Sequence, residues 1–122
     1  MNIEKIVENN LSIAIISGKE EIFTDVQSAL DLIFSVQYET GADRIVIDKE
    51  MITQDFFVLS TGLAGEILQK FINYNIKVAM YGDYSKYTSK PLKDFIYESN
   101  NGKDIFFVET KNDAINNLSK LF

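Results

Sequence analysis

The 122-residue sequence contains no cysteine and no histidine. The absence of cysteine excludes disulfides, thiolate nucleophiles, iron–sulfur clusters and zinc sites built on cysteine. The absence of histidine removes the commonest general base, the commonest metal ligand and the usual pH switch. Catalysis would have to rest on Asp, Glu, Lys, Tyr, Ser or Thr, and no nucleophile–base pair is recognisable among them. We therefore assign no catalytic residue, cofactor or metal, and favour a non-enzymatic protein.

Positive charge is also scarce, because 12 Lys and Arg stand against 18 Asp and Glu, for a net charge of −6. Nucleic acids and anionic membranes bind to a positive field, so neither partner is expected. The first residues do not have the basic and apolar regions of a signal peptide. No uncharged stretch approaches the ~20 residues that span a bilayer. With 46% hydrophobic residues the chain can bury a full core, and we expect one cytoplasmic domain, residues 1–122.

Hydrophobic periodicity predicts strands that alternate with helices along most of the chain. Two apolar runs separated by Asn9-Asn10 form an expected hairpin, because Asn tolerates positive φ. A Thr24-x-x-Gln27 capping box predicts the start of the next helix, and Gly41 its end. The full order is β-β-α-β-α-β-α-β-α. Because crossover connections pair strands in parallel, we predict an α/β fold with a single-layer, mixed, mostly parallel five-stranded sheet and about four helices.

The central helix is predicted from about residue 61 to residue 73. Gly65 lies inside it, where Gly is less favourable than Ala by ~1 kcal/mol. We expect Gly65 to pack closely against a strand. The last helix is expected to be capped by Thr110 and to include Leu121 on its inner face.

The opening of the central helix at Ser60-Thr61-Gly62 provides a first candidate site. A hydroxyl at this position is commonly an N-cap, worth ~1 kcal/mol. The free N–H groups and the helix dipole also favour an anion there, and a phosphate would add about −1.5 to −2 charge. The hypothesis is a phosphorylation or partner-binding surface, here called the partner surface, made of Ser60, Thr61, Gly62, Gly65 and Glu66. The plain alternative is a cap followed by a solvated helix face.

Gly82-Asp83, directly after an apolar strand, provides a second candidate site. Ligands in open α/β sheets bind beyond the carboxyl ends of the strands, and Asp48 ends the preceding strand at the same edge. The site, here called the ligand edge, comprises Asp48, Asp83, Tyr84 and Tyr87, with the two tyrosines as interface anchors. A simple strand-to-loop turn is the competing interpretation of Gly-Asp. Two carboxylates without further ligands make only a weak case for magnesium.

The order of elements, and the segment Ser60-Thr61-Gly62-Leu63 after an apolar strand that ends in Asp48, resemble the STAS domain of anti-sigma-factor antagonists. The resemblance implies a regulatory module in which Ser60 corresponds to the serine that a partner kinase phosphorylates. Leu59 departs from the pattern, because the family has Asp at that place.

Residues 61–71, 82–83 and 95–100 resemble an uncharacterised bacterial family, domain of unknown function 4180, over nearly the full length. This likeness implies a small bacterial protein and supplies no activity. Our first hypothesis is a non-enzymatic, STAS-like protein-interaction or regulatory module with a protein partner. The alternative is a small-molecule-binding protein or an enzyme that uses the ligand edge. A third hypothesis is a homodimer formed through an exposed sheet edge or through the loop 84–87.

Overall fold

A computed structural model of the chain describes residues 1–120, so that Leu121 lies outside the described residues. The strands are β1 (Asn2–Glu8), β2 (Leu11–Ser17), β3 (Arg44–Asp48), β4 (Lys77–Tyr81) and β5 (Ile105–Val108). They form one sheet in chain order; β1 and β2 pair antiparallel, and all later neighbours pair in parallel. The predicted mixed, mostly parallel five-stranded sheet is confirmed.

The helices are α1 (Val26–Thr40), α2 (Leu63–Asn73), α3 (Lys90–Asn100) and α4 (Lys111–Leu118). Between β3 and α2 the chain makes three short 3-10 turns, at Lys49–Met51, Gln54–Phe57 and Leu59–Thr61. The longest helix of residues 1–120, α1, has 15 residues, and none of the helices in this part of the chain is long and apolar enough to cross a bilayer.

Local signals account for most element boundaries. Asn9 and Asn10 take positive φ values of 52° and 65° in the predicted hairpin turn. Gly41 ends α1 with φ 69°. The capping box of α1 lies one residue later than predicted, because the Asp25 carboxylate accepts a bond from the Ser28 N–H at 2.8 Å and the Ser28 hydroxyl accepts one from the Asp25 N–H at 3.1 Å.

The two faces of the sheet are covered by different helices. One face packs against α1, α2 and α3, with a core that includes Ile47, Phe71 and Leu92. The opposite face packs against α4, through Ala114 and Leu118. Right-handed crossovers between strands that are added in one direction place α1, α2 and α3 on the same side. Consequently β4 leads into a helix on one face, and β5 leads into a helix on the other.

Candidate functional site

The carboxyl ends of β4 and β5, here called the switch point, are the place where two adjacent strands lead into helices on opposite faces of the sheet. The loops that leave such a point diverge, and ligands of open α/β sheets bind in the crevice between them. A cavity of about 320 Å³ lies there, lined by residues 82–85, residues 107–109 and Ile96 of α3. We call this cavity the crevice. A neighbouring cavity of about 440 Å³ shares Tyr84, Ser85 and Ile96 with it and continues outward along α3.

Gly82 begins the loop on the β4 side of the crevice. Its φ of 155° is one that L side chains rarely adopt, and an added Cβ would lie 2.6 Å from the Cβ of Lys49. Only glycine fits, because it has no side chain to meet Lys49 and no Cβ to strain the backbone. Asp83 then accepts hydrogen bonds from the Ser85 N–H at 2.8 Å and the Ser85 hydroxyl at 2.6 Å. These bonds lower the pKa of Asp83, which therefore presents an ionised carboxylate to solvent.

Lys49, the first residue after β3, is the main charged group that sequence patterns did not single out. Its side chain is 2% exposed. Its Nζ lies 5.5 Å from the ring centroid of Phe57, 5.9 Å from that of Tyr84 and 5.0 Å from that of Tyr87. We call these three rings the aromatic cage. Cation–π attraction of this kind is worth roughly 0.5–2 kcal/mol.

The tyrosines of the ligand edge are half-buried and hydrogen-bonded. The Tyr84 hydroxyl donates to the carbonyl oxygen of Met80 at 2.9 Å, and the Tyr87 hydroxyl donates to Oε1 of Gln54 at 3.2 Å. Burial raises the pKa of the Tyr84 phenol, and Tyr87 and Asp48 raise it further. Tyr84 therefore stays protonated at neutral pH and does not serve as a base.

Asp48 faces the same edge of the sheet, paired in register with Tyr81 of β4. Its carboxylate accepts a hydrogen bond from the Glu50 N–H at 2.9 Å and so caps the first 3-10 turn. The structure thus brings Asp48, Asp83, Tyr84 and Tyr87 to the carboxyl ends of β3 and β4. Within residues 1–120, no group of three acidic side chains comes together in a way that could hold a metal ion.

All five residues of the partner surface are exposed: Ser60, Thr61, Gly62, Gly65 and Glu66. Helix α2 begins two residues later than predicted, at Leu63, after Gly62 with φ 76°. The Thr61 hydroxyl accepts a hydrogen bond from the Leu63 N–H at 3.2 Å and lies 2.9 Å from the carbonyl oxygens of Asp55 and Val58. Thr61 therefore fixes the turn before α2, but the N-cap of α2 is Gly62 and no side-chain hydrogen bond caps this helix.

The expectation for Gly65 was wrong. An added Cβ at this position would meet nothing within 4 Å, so no strand packs against it. Gly65 instead lines an open groove of about 470 Å³, together with Val26, Glu66, Gln69 and Lys70. This groove and the crevice share no lining residue, so they are separate surfaces of the molecule.

Replacing Gly65 with Ala is expected to raise the free energy of unfolding by about 0.5–1 kcal/mol. Alanine has the higher helix propensity, and the open surroundings leave room for its methyl group. Urea denaturation measures the change. Gly62→Ala is the control in the same segment, and it is expected to destabilise because residue 62 has φ 76°. A loss of stability in Gly65→Ala would contradict the open environment.

Sequence patterns missed Lys49 and Phe57. Both lie in the irregular segment after β3, where no period marks which side chains turn inward. The available signals were a lysine directly after the apolar strand that ends at Asp48, and an aromatic pair, Phe56 and Phe57, in a region otherwise interpreted as a linker.

Comparisons with curated proteins and with solved structures give no significant match. The resemblance to STAS domains therefore stays a prediction. A family comparison does match: the family described as "Domain of unknown function (DUF4180)" covers residues 8–118, from the last residue of β1 to the last residue of α4. The match includes the switch point, the aromatic cage and the partner surface. The chain belongs to the family described as domain of unknown function DUF4180.

Proposed function

We propose that this protein binds a small molecule in the crevice between the carboxyl ends of β4 and β5. The observation that supports the proposal is a cavity of about 320 Å³ at the only place where adjacent parallel strands of residues 1–120 lead to opposite faces. Ligand sites in open α/β sheets occur at such points. The volume falls at the lower end of ligand pockets, which span roughly 300–1,000 Å³.

The lining of the crevice indicates a small, mostly apolar ligand that is oriented by a few polar groups. Tyr84, Ile96, Phe107 and Val108 form apolar walls, and Asp83 and Glu109 supply carboxylates at the rim. A few polar groups on an otherwise apolar wall are typical of sites that orient a small ligand. The proposal is for binding rather than catalysis, because Asp83 has a lowered pKa and Tyr84 a raised one, so neither group exchanges protons near neutral pH.

The test is to fill the crevice. Val108→Trp places a large side chain among its walls, and Val7→Trp is the matched control, since Val7 is 59% exposed on β1. Each variant is purified and its melting temperature measured against a panel of metabolites. A ligand at ~100 times its Kd adds about 2.7 kcal/mol of stability. We expect a ligand that stabilises the wild type and Val7→Trp but not Val108→Trp. Equal stabilisation of all three, or of none, would contradict the proposal.

Native mass spectrometry of the wild type from its own source supplies a second readout. A co-purified small molecule that is absent from Val108→Trp supports the crevice. The mass of the complex also determines whether the chain pairs with itself through an exposed sheet edge or through the loop 84–87.

Gly65 favours a second candidate function, a cytoplasmic, STAS-like regulatory module that binds a protein through the partner surface. A glycine in an exposed helix is less favourable than alanine by ~1 kcal/mol, and here no packing accounts for it. A bare helix backbone lets another chain approach closely. Ser60 is the preferred phosphate acceptor in this proposal, because the Thr61 hydroxyl is engaged with the backbone.

The partner surface is tested by affinity capture with three baits: the wild type, Gly65→Arg, and Asn73→Arg as a control at the far end of α2. We expect the wild type and Asn73→Arg to retain the same protein and Gly65→Arg to lose it. Tryptic mapping of the wild type reports phosphate on Ser60. Retention by all three baits would contradict the second proposal.

A further inference from the structure

Lys49 is buried without an acceptor for its N–H groups. None of the hydrogen bonds or ion pairs among residues 1–120 involves its ammonium, and its contacts are the three rings of the aromatic cage. Lysines that are 2% exposed, as Lys49 is, are rare unless they are paired. An ammonium carries three donors, and aromatic faces do not replace a hydrogen-bond acceptor for them.

The ammonium nevertheless reaches solvent. Every side-chain nitrogen or oxygen of the described residues that is fully shielded from solvent has a hydrogen-bond partner. Because Nζ of Lys49 has none, it is not fully shielded, although the rest of the side chain is covered. Nζ of Lys49 therefore keeps some contact with solvent.

Lys49 packs against two residues that line the crevice, although it is not itself a lining residue. Its Cβ is 2.6 Å from the position that a Cβ on Gly82 would occupy, and its Nζ is 5.9 Å from the ring of Tyr84. Gly82 and Tyr84 both line the crevice. The charge of Lys49 also reaches Asp83 on the rim: after the bonds from Ser85 and the charge of Lys86, it contributes to lowering the pKa of Asp83.

We infer that the Lys49 ammonium binds an anionic oxygen, a carboxylate or a phosphate group, on the ligand of the crevice. An anionic oxygen accepts the charge-assisted hydrogen bonds that no protein group provides to the ammonium. Asp48 and Asp83 accept backbone bonds from Glu50 and Ser85, and neither accepts a hydrogen bond from Lys49. The inference rests on the proposed function, because it assigns a binding group to the same ligand.

Lysine methylation tests the inference on the unmodified chain. The folded protein is treated with formaldehyde and a borane reductant, with and without inorganic phosphate or acetate, and each lysine is mapped by mass spectrometry. By mass action, an anion at about nine times its Kd should protect Lys49 about tenfold. Lys93, exposed on α3, is the internal control and should keep its rate. The inference is overturned if Lys49 never reacts, or if it reacts at the same rate with each anion present as without it.

Lys49→Met supplies the second arm, because Met keeps an unbranched apolar stem and removes the donors. In nitrogen–proton NMR titrations with inorganic phosphate, we expect saturable shifts of the Gly82, Asp83 and Ser85 amides in the wild type and their loss in Lys49→Met. Equal shifts in both proteins would show that Lys49 only packs against the rings of the aromatic cage and does not bind phosphate. If Lys49→Met does not fold, the methylation experiment still decides.

The two proposals fail in different ways. If a metabolite no longer binds Val108→Trp but binds Lys49→Met as it binds the wild type, the crevice is the binding site and Lys49 has no role in it. Suppose instead that no ligand is found for the crevice and that phosphate still protects Lys49 from methylation in Val108→Trp. The proposed function is then wrong, and an anion site at Lys49 remains.

Discussion

Replacing Gly82 with Ala is expected to lower the free energy of unfolding by about 2–5 kcal/mol. The first cause is backbone strain at φ 155°, and the second is the collision of the new methyl group with the Cβ of Lys49 at 2.6 Å. Rotation of the Lys49 side chain does not relieve this contact, because a Cβ does not move with χ1. Guanidinium denaturation followed by circular dichroism measures the loss.

Gly62→Ala is the matched control for Gly82→Ala. Residue 62 also has a positive φ, 76°, but nothing lies within 4 Å of its added Cβ. Only the left-handed backbone penalty of about 1–2 kcal/mol applies there. The difference between the two variants therefore reports the contact with Lys49 together with the greater backbone strain at φ 155°. Equal losses would show that the end of β4 and Lys49 are not tightly packed.

Replacing Phe57 with Ala is expected to lower the free energy of unfolding by about 3–5 kcal/mol and to open the cage around Lys49. Phe57 is 5% exposed and packs on Tyr87 with ring centroids 5.2 Å apart and on Tyr84 at 5.9 Å. Its loss removes one of the three rings over the ammonium. We therefore expect faster methylation of Lys49 in Phe57→Ala, measured at a temperature where the variant is folded.

Phe71→Ala separates the local effect from general destabilisation. Phe71 is fully buried and packs against Phe23 with ring centroids 5.5 Å apart, and the aromatic cage does not include it. Phe71→Ala is expected to lower the free energy of unfolding by a similar amount, about 3–5 kcal/mol. Lys49 should become more reactive in Phe57→Ala and remain near the wild-type rate in Phe71→Ala. An equal increase in both variants would attribute the reactivity to unfolding.

The elements of the fold were largely predictable because their signals are local. The hairpin at Asn9-Asn10 needs residues that tolerate positive φ, and Gly41 supplies the same freedom at the end of α1. Ser89 and Thr110 cap α3 and α4 through their own side chains. Each of these signals depends on residues within one turn of each other, so no knowledge of distant contacts is needed.

Where local signals compete, prediction was less accurate. Both Thr24 and Asp25 are good N-caps, and Ser28 decides between them because its hydroxyl completes the box with Asp25. The start of α2 moved to Leu63 because Gly62 takes a left-handed φ before the helix. The environment of Gly65 depends on which elements lie across from it, and the sequence carries no local information about that.

The sequence by itself determined the order of strands and helices, their pairing into one mostly parallel sheet, and the lack of cysteine and histidine chemistry. It also placed Asp48 and Asp83 at the same edge, because the carboxyl ends of parallel strands coincide. The tertiary structure alone decided that Lys49 is caged by Phe57, Tyr84 and Tyr87, and that α4 crosses to the opposite face to open the crevice. Periodicity reports which side of one element is buried, whereas the contacts of Lys49 join it to rings that lie 8, 35 and 38 positions further along the chain, and their meeting is fixed by the packing of the whole sheet.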